Sequence, residues 1–356
     1  MQTFTSFLNN ETSLTKGCNE GVGQIKNDKF FIDCNLQIIL TAPRGFCAGV
    51  KRAVEIVERA IEKYGTPIYV RHEIVHNKFV VEYFKNKGVI FVDDECKVPS
   101  GATIIFSAHG VADKVEENSK NFGLQTIDAT CPLVKKVHRE VIAYDEQNIE
   151  IILIGHKNHP EMLGTSGRIN SGNFTIIETL EDAKNFVPKN SQSLAIATQT
   201  TLSLTDTQYI VDYLTTKFPS IMERERLKND ICYATENRQK AVRNVLSTMS
   251  VDGLIVLGAS NSSNSNRLAD IGGEFGVLSF LTEKFEDKII EQLIEKKQKN
   301  PSKTQFTIAI TAGASAPQVL VNDFISNLSS CFSFTLIKEQ ELIKEDVYFI
   351  LPKQVR

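Results

Sequence analysis

Residues 36–50 read LQIILTAPRGFCAGV. The apolar run at its start is short and β-branched, as a buried strand is, and Pro43 and Gly45 break it before a helical pattern begins. Cys47 therefore lies where a strand gives way to a helix, between Gly45 and Gly49, which leave backbone room on both sides. A helix N-terminus favours the thiolate over the thiol, so this position suits chemistry better than packing.

The same alternation runs along the chain. Apolar runs PIYV, VIFV, ATIIF, EIILI, FTIIE, LAIA, LIVLG, VLSFL, FTIAI and VYFIL read as strands, with helical patterns between them. That rhythm predicts an α/β fold with mostly parallel sheets. Polar segments follow several of the runs directly: SAHG, GHKNHPE, TQTTLS, GASNSSNSN and TAGASAP. In open α/β sheets, ligands bind beyond the carboxyl ends of strands.

Two further cysteines repeat the context of Cys47. Cys131 precedes a helical pattern with Pro132 in its first turn and Val134, Val137, Val141 and Tyr144 on one face; Cys232 precedes one carrying Val242, Val245 and Met249. The three cysteines are each about a small domain apart. The expected organisation is an N-terminal extension over residues 1–35, α/β domains over 36–130, 131–228 and 229–317 around a shared centre, and a segment 318–356 packing back on the first domain.

Composition narrows the function. With 356 residues, 42% of them hydrophobic and 23% charged, the chain can bury a sizeable core. A net charge of −3 without a basic stripe gives no footprint for nucleic acid. No run has the length of a membrane span, and the first residues lack a signal-peptide pattern, so a cytoplasmic location is expected, with organelle import through the extension left open. Seven scattered cysteines do not form a secreted disulfide framework.

Three thiolates from three domains suit a metal cluster. Zinc sites favour close-spaced ligand pairs, and a disulfide needs two sulfurs. An iron-sulfur cubane normally takes four thiolates, so three leave one iron open to substrate. Cys18, Cys34, Cys96 and Cys331 lack the strand-to-helix context and read as structural. For anion binding, His76 and His109 stand ahead of helices, while Ser262, Ser263, Asn264, Asn266 and Ser315 follow strands, where backbone N–H groups and the helix dipole face a ligand. His159 and Glu161 flank Pro160, which is expected to bar a regular helix and fix a turn. A glutamate in a water-poor pocket can serve as a proton donor. A thiol- or zinc-dependent hydrolase using Cys47, or a non-catalytic anion-binding sensor, remains an alternative at this point.

PRGFCAGV, RHEIVHN, SAHGV, DATCPLV, GHKNHPE, TQTTLS, DICYATENRQ, NSSNSNRL and TAGASAP, in this order, resemble the 4-hydroxy-3-methylbut-2-enyl diphosphate reductase family from about residue 36 onward. The resemblance implies three α/β lobes arranged pseudo-threefold around one 4Fe-4S cluster per chain, with Cys47, Cys131 and Cys232 as ligands and one open iron. It implies that His76, His109, Ser262, Ser263, Asn264 and Ser315 hold a diphosphate, and that Glu161 delivers protons, assisted by His159 and Thr200. The implied activity is that of an iron-sulfur oxidoreductase closing the non-mevalonate isoprenoid pathway, with ferredoxin or flavodoxin as electron donor and neither nucleic acid nor membrane as partner. Met162 and Leu163 depart from the family pattern.

Overall fold

The computed structural model describes residues 30–221 and 230–356; most of the expected N-terminal extension, Cys18 included, lies outside the described residues. In chain order the elements are β1 (Ile32–Ala42), α1 (Ala48–Tyr64), β2 (Ile68–Arg71), α2 (Lys78–Asn86), β3 (Val89–Val92), β4 (Thr103–Phe106), α3 (Asp113–Asn121), β5 (Gln125–Asp128), α4 (Pro132–Glu146) and β6 (Glu150–Ile154). There follow α5 (Pro160–Ser166), β7 (Phe174–Ile177), α6 (Leu180–Asn185), β8 (Leu194–Thr198), α7 (Leu204–Lys217) and α8 (Tyr233–Thr248). The chain closes with β9 (Gly253–Leu257), α9 (Ser263–Glu274), β10 (Ser279–Thr282), α10 (Asp287–Lys299), β11 (Gln305–Ala312), α11 (Gln318–Ser329) and β12 (Phe332–Glu341).

The strands form three sheets, ordered β10-β9-β11-β1-β12, β3-β2-β4-β5 and β7-β6-β8. Every described strand pair is parallel. By compactness the chain divides into two units: one runs up to Cys47 and resumes over Asn237–Val347, the other comprises Ala48–Glu236 and Tyr348–Arg356.

The first unit holds the five-stranded sheet. Ile38, Leu40, Ile308 and Ile310 meet Ile289, Leu293, Val321 and Phe324 from α10 and α11 on one face. On the other, Ile39, Leu254, Val256 and Ala309 meet Val242 and Val245 of α8 and Leu268 and Ile271 of α9. Burial on both faces is why these strands read as continuous apolar runs. The second unit carries the two smaller sheets. Its helix α4 lays Val137, Val141 and Tyr144 on Ile151 and Leu153 of β6 and Ala195 and Ala197 of β8.

Several expectations need correction. The stretch 36–130 is divided: β1 pairs with β11 and β12, while β2–β5 form their own sheet. VYFIL is not a strand; Tyr348 and Ile350 are exposed, and the nine C-terminal residues group with α1, where Lys63 Nζ and Tyr64 Oη both donate to the Gln354 carbonyl at 2.7 Å. Two strands escaped the sequence reading, β5 and β12. Both are sheet edges, and their polar residues, such as Gln125, Asp128, Lys338 and Glu339, dilute the apolar signal.

One close approach positions a site loop. A Cβ on Gly258, just past β9, would stand 2.6 Å from the Ser265 Cβ and 2.2 Å from its Oγ, so a glycine there lets the first turn of α9 lie against the strand ends. Because a Cβ cannot rotate away, Gly258→Ala should destabilise the protein by about 1–3 kcal/mol, read as a lower midpoint in urea unfolding.

Candidate active site

Cys47, Cys131 and Cys232 each stand immediately before a helix: α1, α4 and α8. All three are partly exposed, whereas Cys34 and Cys331 are buried and Cys96 is exposed. Main-chain bonds seat each of them. Cys47 N–H donates to the Ala314 carbonyl at 3.2 Å, Cys131 N–H to Ala108 at 3.0 Å, and Cys232 N–H to Thr200 at 3.0 Å. The Cys232 sulfur also accepts the Thr235 N–H at 3.4 Å and lies 3.2 Å from the Thr235 hydroxyl.

In the first unit, β1, β11 and β9 are neighbours, so the loops that follow them are neighbours too. They carry Cys47, Ser315, and Ser262 with Ser263 and Asn264. Ser262 caps α9, its hydroxyl accepting the Ser265 N–H at 3.3 Å. Asn264, 3% exposed, accepts the Ala314 N–H at 3.0 Å, tying the β9 loop to the β11 loop. The buried guanidinium of Arg238 donates twice to the Gly45 carbonyl, at 2.7 and 3.2 Å, and pairs with Glu345.

In the second unit three imidazoles gather. The ring centres of His76 and His109 are 4.1 Å apart and stacked, and His159 stands edge-on at 5.3 Å from His76 and 5.7 Å from His109. Glu73 Oε2 lies 3.1 Å from His76 Nδ1, and Ser107 Oγ lies 3.3 Å from His109 Nδ1. Pro160 does not bar a helix or merely fix a turn: it is the first residue of α5, where its fixed φ suits a helix, and His159 is the cap. His159 Nδ1 accepts the Glu161 N–H at 3.2 Å, which leaves the proton on Nε2. Burial, with the neighbouring imidazoles adding to it, lowers the pKa of His159 to about 3 and holds that of His109 well below its ordinary value. Both are neutral donors near pH 7.

Glu161 is 2% exposed. Its Oε1 accepts the Thr200 N–H at 2.6 Å and its Oε2 the Thr200 hydroxyl at 3.1 Å. Burial outweighs these two bonds and raises its pKa to about 7. Thr200 is thus shared: its N–H and hydroxyl serve the acid, and its carbonyl holds the Cys232 N–H. Met162 is buried beneath Gly155, and Leu163 points outward at 54% exposure, so neither departure from the family pattern touches the acid's hydrogen bonds.

Sequence reasoning passed over Glu73, Ser107 and Gln199. The first two act on the histidines from two or three residues away, and Gln199 Oε1 accepts the His156 N–H at 3.0 Å, fixing the loop that leads to Glu161. All lie inside motifs already quoted, but support of a neighbour through a short-range bond leaves no separate pattern. Among the described residues no three His, Cys, Asp or Glu gather closely enough to bind one metal ion, the arrangement a mononuclear zinc site requires. The ligand type that does recur, a partly exposed cysteine at a helix start, is the one iron-sulfur clusters use.

In each unit, parallel sheets place the candidate residues in the loops that follow their strands: cysteines at helix starts, and in the second unit also imidazoles and a buried acid. A profile of the family described as LytB protein matches residues 38–329, and the chain belongs to that family. A 4-hydroxy-3-methylbut-2-enyl diphosphate reductase of Vesicomyosocius okutanii is 46% identical over 322 residues, covering 90% of this chain and 100% of the relative. One of Neisseria meningitidis serogroup C is 44% identical over 319 residues, covering 90% and 95%. The solved E-1-hydroxy-2-methyl-but-2-enyl-4-diphosphate reductase of Plasmodium falciparum superposes with a TM-score of 0.79 at 36% identity, over 91% of this chain and 97% of that one.

The buried acid has a consequence for stability. Since the folded pKa of about 7 exceeds the ordinary 4.5, the native state keeps a proton that the unfolded chain has lost between those values. The contribution is therefore full below pH 4.5 and is lost as pH rises towards 7. Between pH 4.5 and 7.5, the unfolding free energy of Glu161→Gln should move in the variant's favour against wild type, by up to about 3 kcal/mol, in urea titrations of the metal-free protein.

Proposed function

We infer that this chain reduces 4-hydroxy-3-methylbut-2-enyl diphosphate to isopentenyl and dimethylallyl diphosphates. The observation that carries the reading is the continuous bond path Glu161–Thr200–Cys232, which sets a neutral buried acid one residue from a helix-start cysteine. Family membership and relatives bearing this reductase name at well over a third identity support it.

The reaction takes up two electrons and two protons, breaks the allylic C–O bond and releases water. The residues of this chain divide the work. Cys47, Cys131 and Cys232 would hold a 4Fe-4S cluster, which would supply single electrons and Lewis acidity. His76 and His109, with Ser262, Ser263, Asn264 and Ser315, bind the diphosphate through side-chain hydrogen bonds and loop N–H groups, which explains how a chain of net charge −3 takes an anion. His159 fixes the first turn of α5, and Thr200 aims the carboxyl of Glu161. Burial disfavours the carboxylate and raises the pKa of Glu161 to about 7, so near neutral pH a large share of it carries a proton, which it passes to the substrate as the C–O bond breaks. The electron donor is a small redox protein, ferredoxin or flavodoxin, and the activity is cytoplasmic. No described helix is long and apolar enough to cross a membrane.

Anaerobic purification should yield a brown protein with iron and sulfide in a 1:1 ratio. Cys→Ser at position 47, 131 or 232 should abolish both the cluster and turnover, whereas Cys96→Ser should leave both intact. A colourless, iron-free protein that turns over substrate would refute the reading.

Glu161→Gln should retain the cluster and diphosphate affinity while slowing turnover by about 10²–10⁴-fold, the range of general acid catalysis. Single-turnover kinetics on the reduced protein would detect it.

A further inference from the structure

Arg52, on α1, is 7% exposed. Its guanidinium donates to three main-chain carbonyls: Nε to Ile350 at 2.9 Å, and Nη1 to Ala129 at 3.2 Å and to Thr130 at 3.1 Å. Ala129 and Thr130 are the two residues before Cys131, so the arginine grips the chain that delivers this sulfur. Its third bond reaches the C-terminal segment, which lies against α1. Thr130 is held from the other side as well, its N–H donating to Asp128 Oδ1 at 2.8 Å.

The bond set is unusual in its charge. Among the described residues no carboxylate forms an ion pair with Arg52; the carboxylate that acts on it is Asp128. Asp128 is already engaged by Lys135. An arginine cannot shed its proton to escape burial, and a buried cation answered by carbonyl dipoles and a carboxylate engaged elsewhere is costly. Such a residue requires negative charge beside it, and Cys131 as the thiolate ligand of an anionic cluster is where the loop provides it.

We propose that Arg52 is a positioning residue for Cys131 and the fixed counter-charge of the iron-sulfur cluster, raising the cluster's reduction potential. The proposal rests on the cluster reading above. It also gives the C-terminal segment a task, since the Ile350 carbonyl completes the set that orients the guanidinium.

The test compares full-length wild type, Arg52→Met and Arg52→Lys, purified anaerobically, by iron and sulfide content, redox titration and the spectrum of the reduced cluster. Wild type without iron and sulfide would end the cluster reading and this proposal with it. With the wild-type cluster in place, Arg52→Met should be reduced about tenfold less readily at a given poise, a fall of about 59 mV for a one-electron couple. Arg52→Lys keeps the charge but not the fork; it should retain most of the potential and lose iron to a chelator several-fold faster. An unchanged midpoint in Arg52→Met overturns the proposal while leaving the cluster reading in place. Metal-free proteins separate this role from packing: Arg52→Met should lose less denaturant resistance without the cluster than with it, and equal losses overturn the proposal. Should Arg52→Met not fold, Arg52→Lys decides by its chelator rate, with a wild-type rate counting against the proposal.

Discussion

Every described strand runs parallel to its sheet neighbours, so the carboxyl ends of each sheet share one edge, and the loops leaving that edge are forced into company. Parallel pairing does not stop where the regular strands do. Ala108 N–H donates to Ile74 O, and Cys131 N–H to Ala108 O, continuing the β2-β4-β5 order into the loops. His76, His109 and Cys131 thus take their spacing from backbone hydrogen bonds, with little left to side-chain packing. The same logic ties Gly45 and Cys47 to the β11 loop through the carbonyls of Ala312 and Ala314.

That constraint explains which parts of the protein were legible in sequence. Buried parallel strands such as EIILI and LIVLG announce themselves because both faces are covered, and Cys47, Cys131 and Cys232 stood out because each begins a helix. Sheet membership was not legible: β1 is followed at once by α1, yet Ile38 pairs with Ile308, and nothing in local patterning specifies a partner so distant. VYFIL misled for a related reason. Its apolar residues supply little core, with Ile350 67% exposed, while its backbone carbonyl serves Arg52. Of the candidate site, residue types and loop positions could be read from spacing, and the proton-donor role of Glu161 could be anticipated; the lowered pKa values of His109 and His159 could not, since they follow from burial among neighbouring imidazoles.

Desolvation sets those states in one direction for all the groups it touches. It removes charge from His109 and His159 and keeps a proton on Glu161, so this part of the site is a set of neutral donors and one weak acid rather than an array of fixed ions. Neutral donors bind an anion with less electrostatic pull than lysines or arginines would, and they also release a diphosphate product more readily. Arg52, like Arg238, is a cation that burial cannot neutralise, and it is spent on main-chain carbonyls.

The placement of β1 also bears on how the chain is made. Ile38 leaves the ribosome with its partner Ile308 still roughly 270 residues away, which at about 5–20 residues per second is a delay of roughly 14–54 s. During that interval Ala48–Glu236 can assemble its own sheets, whereas LQIIL must stay unpaired, a β-branched apolar stretch with no sheet to join. The nascent protein therefore carries a sticky leading edge for most of its synthesis.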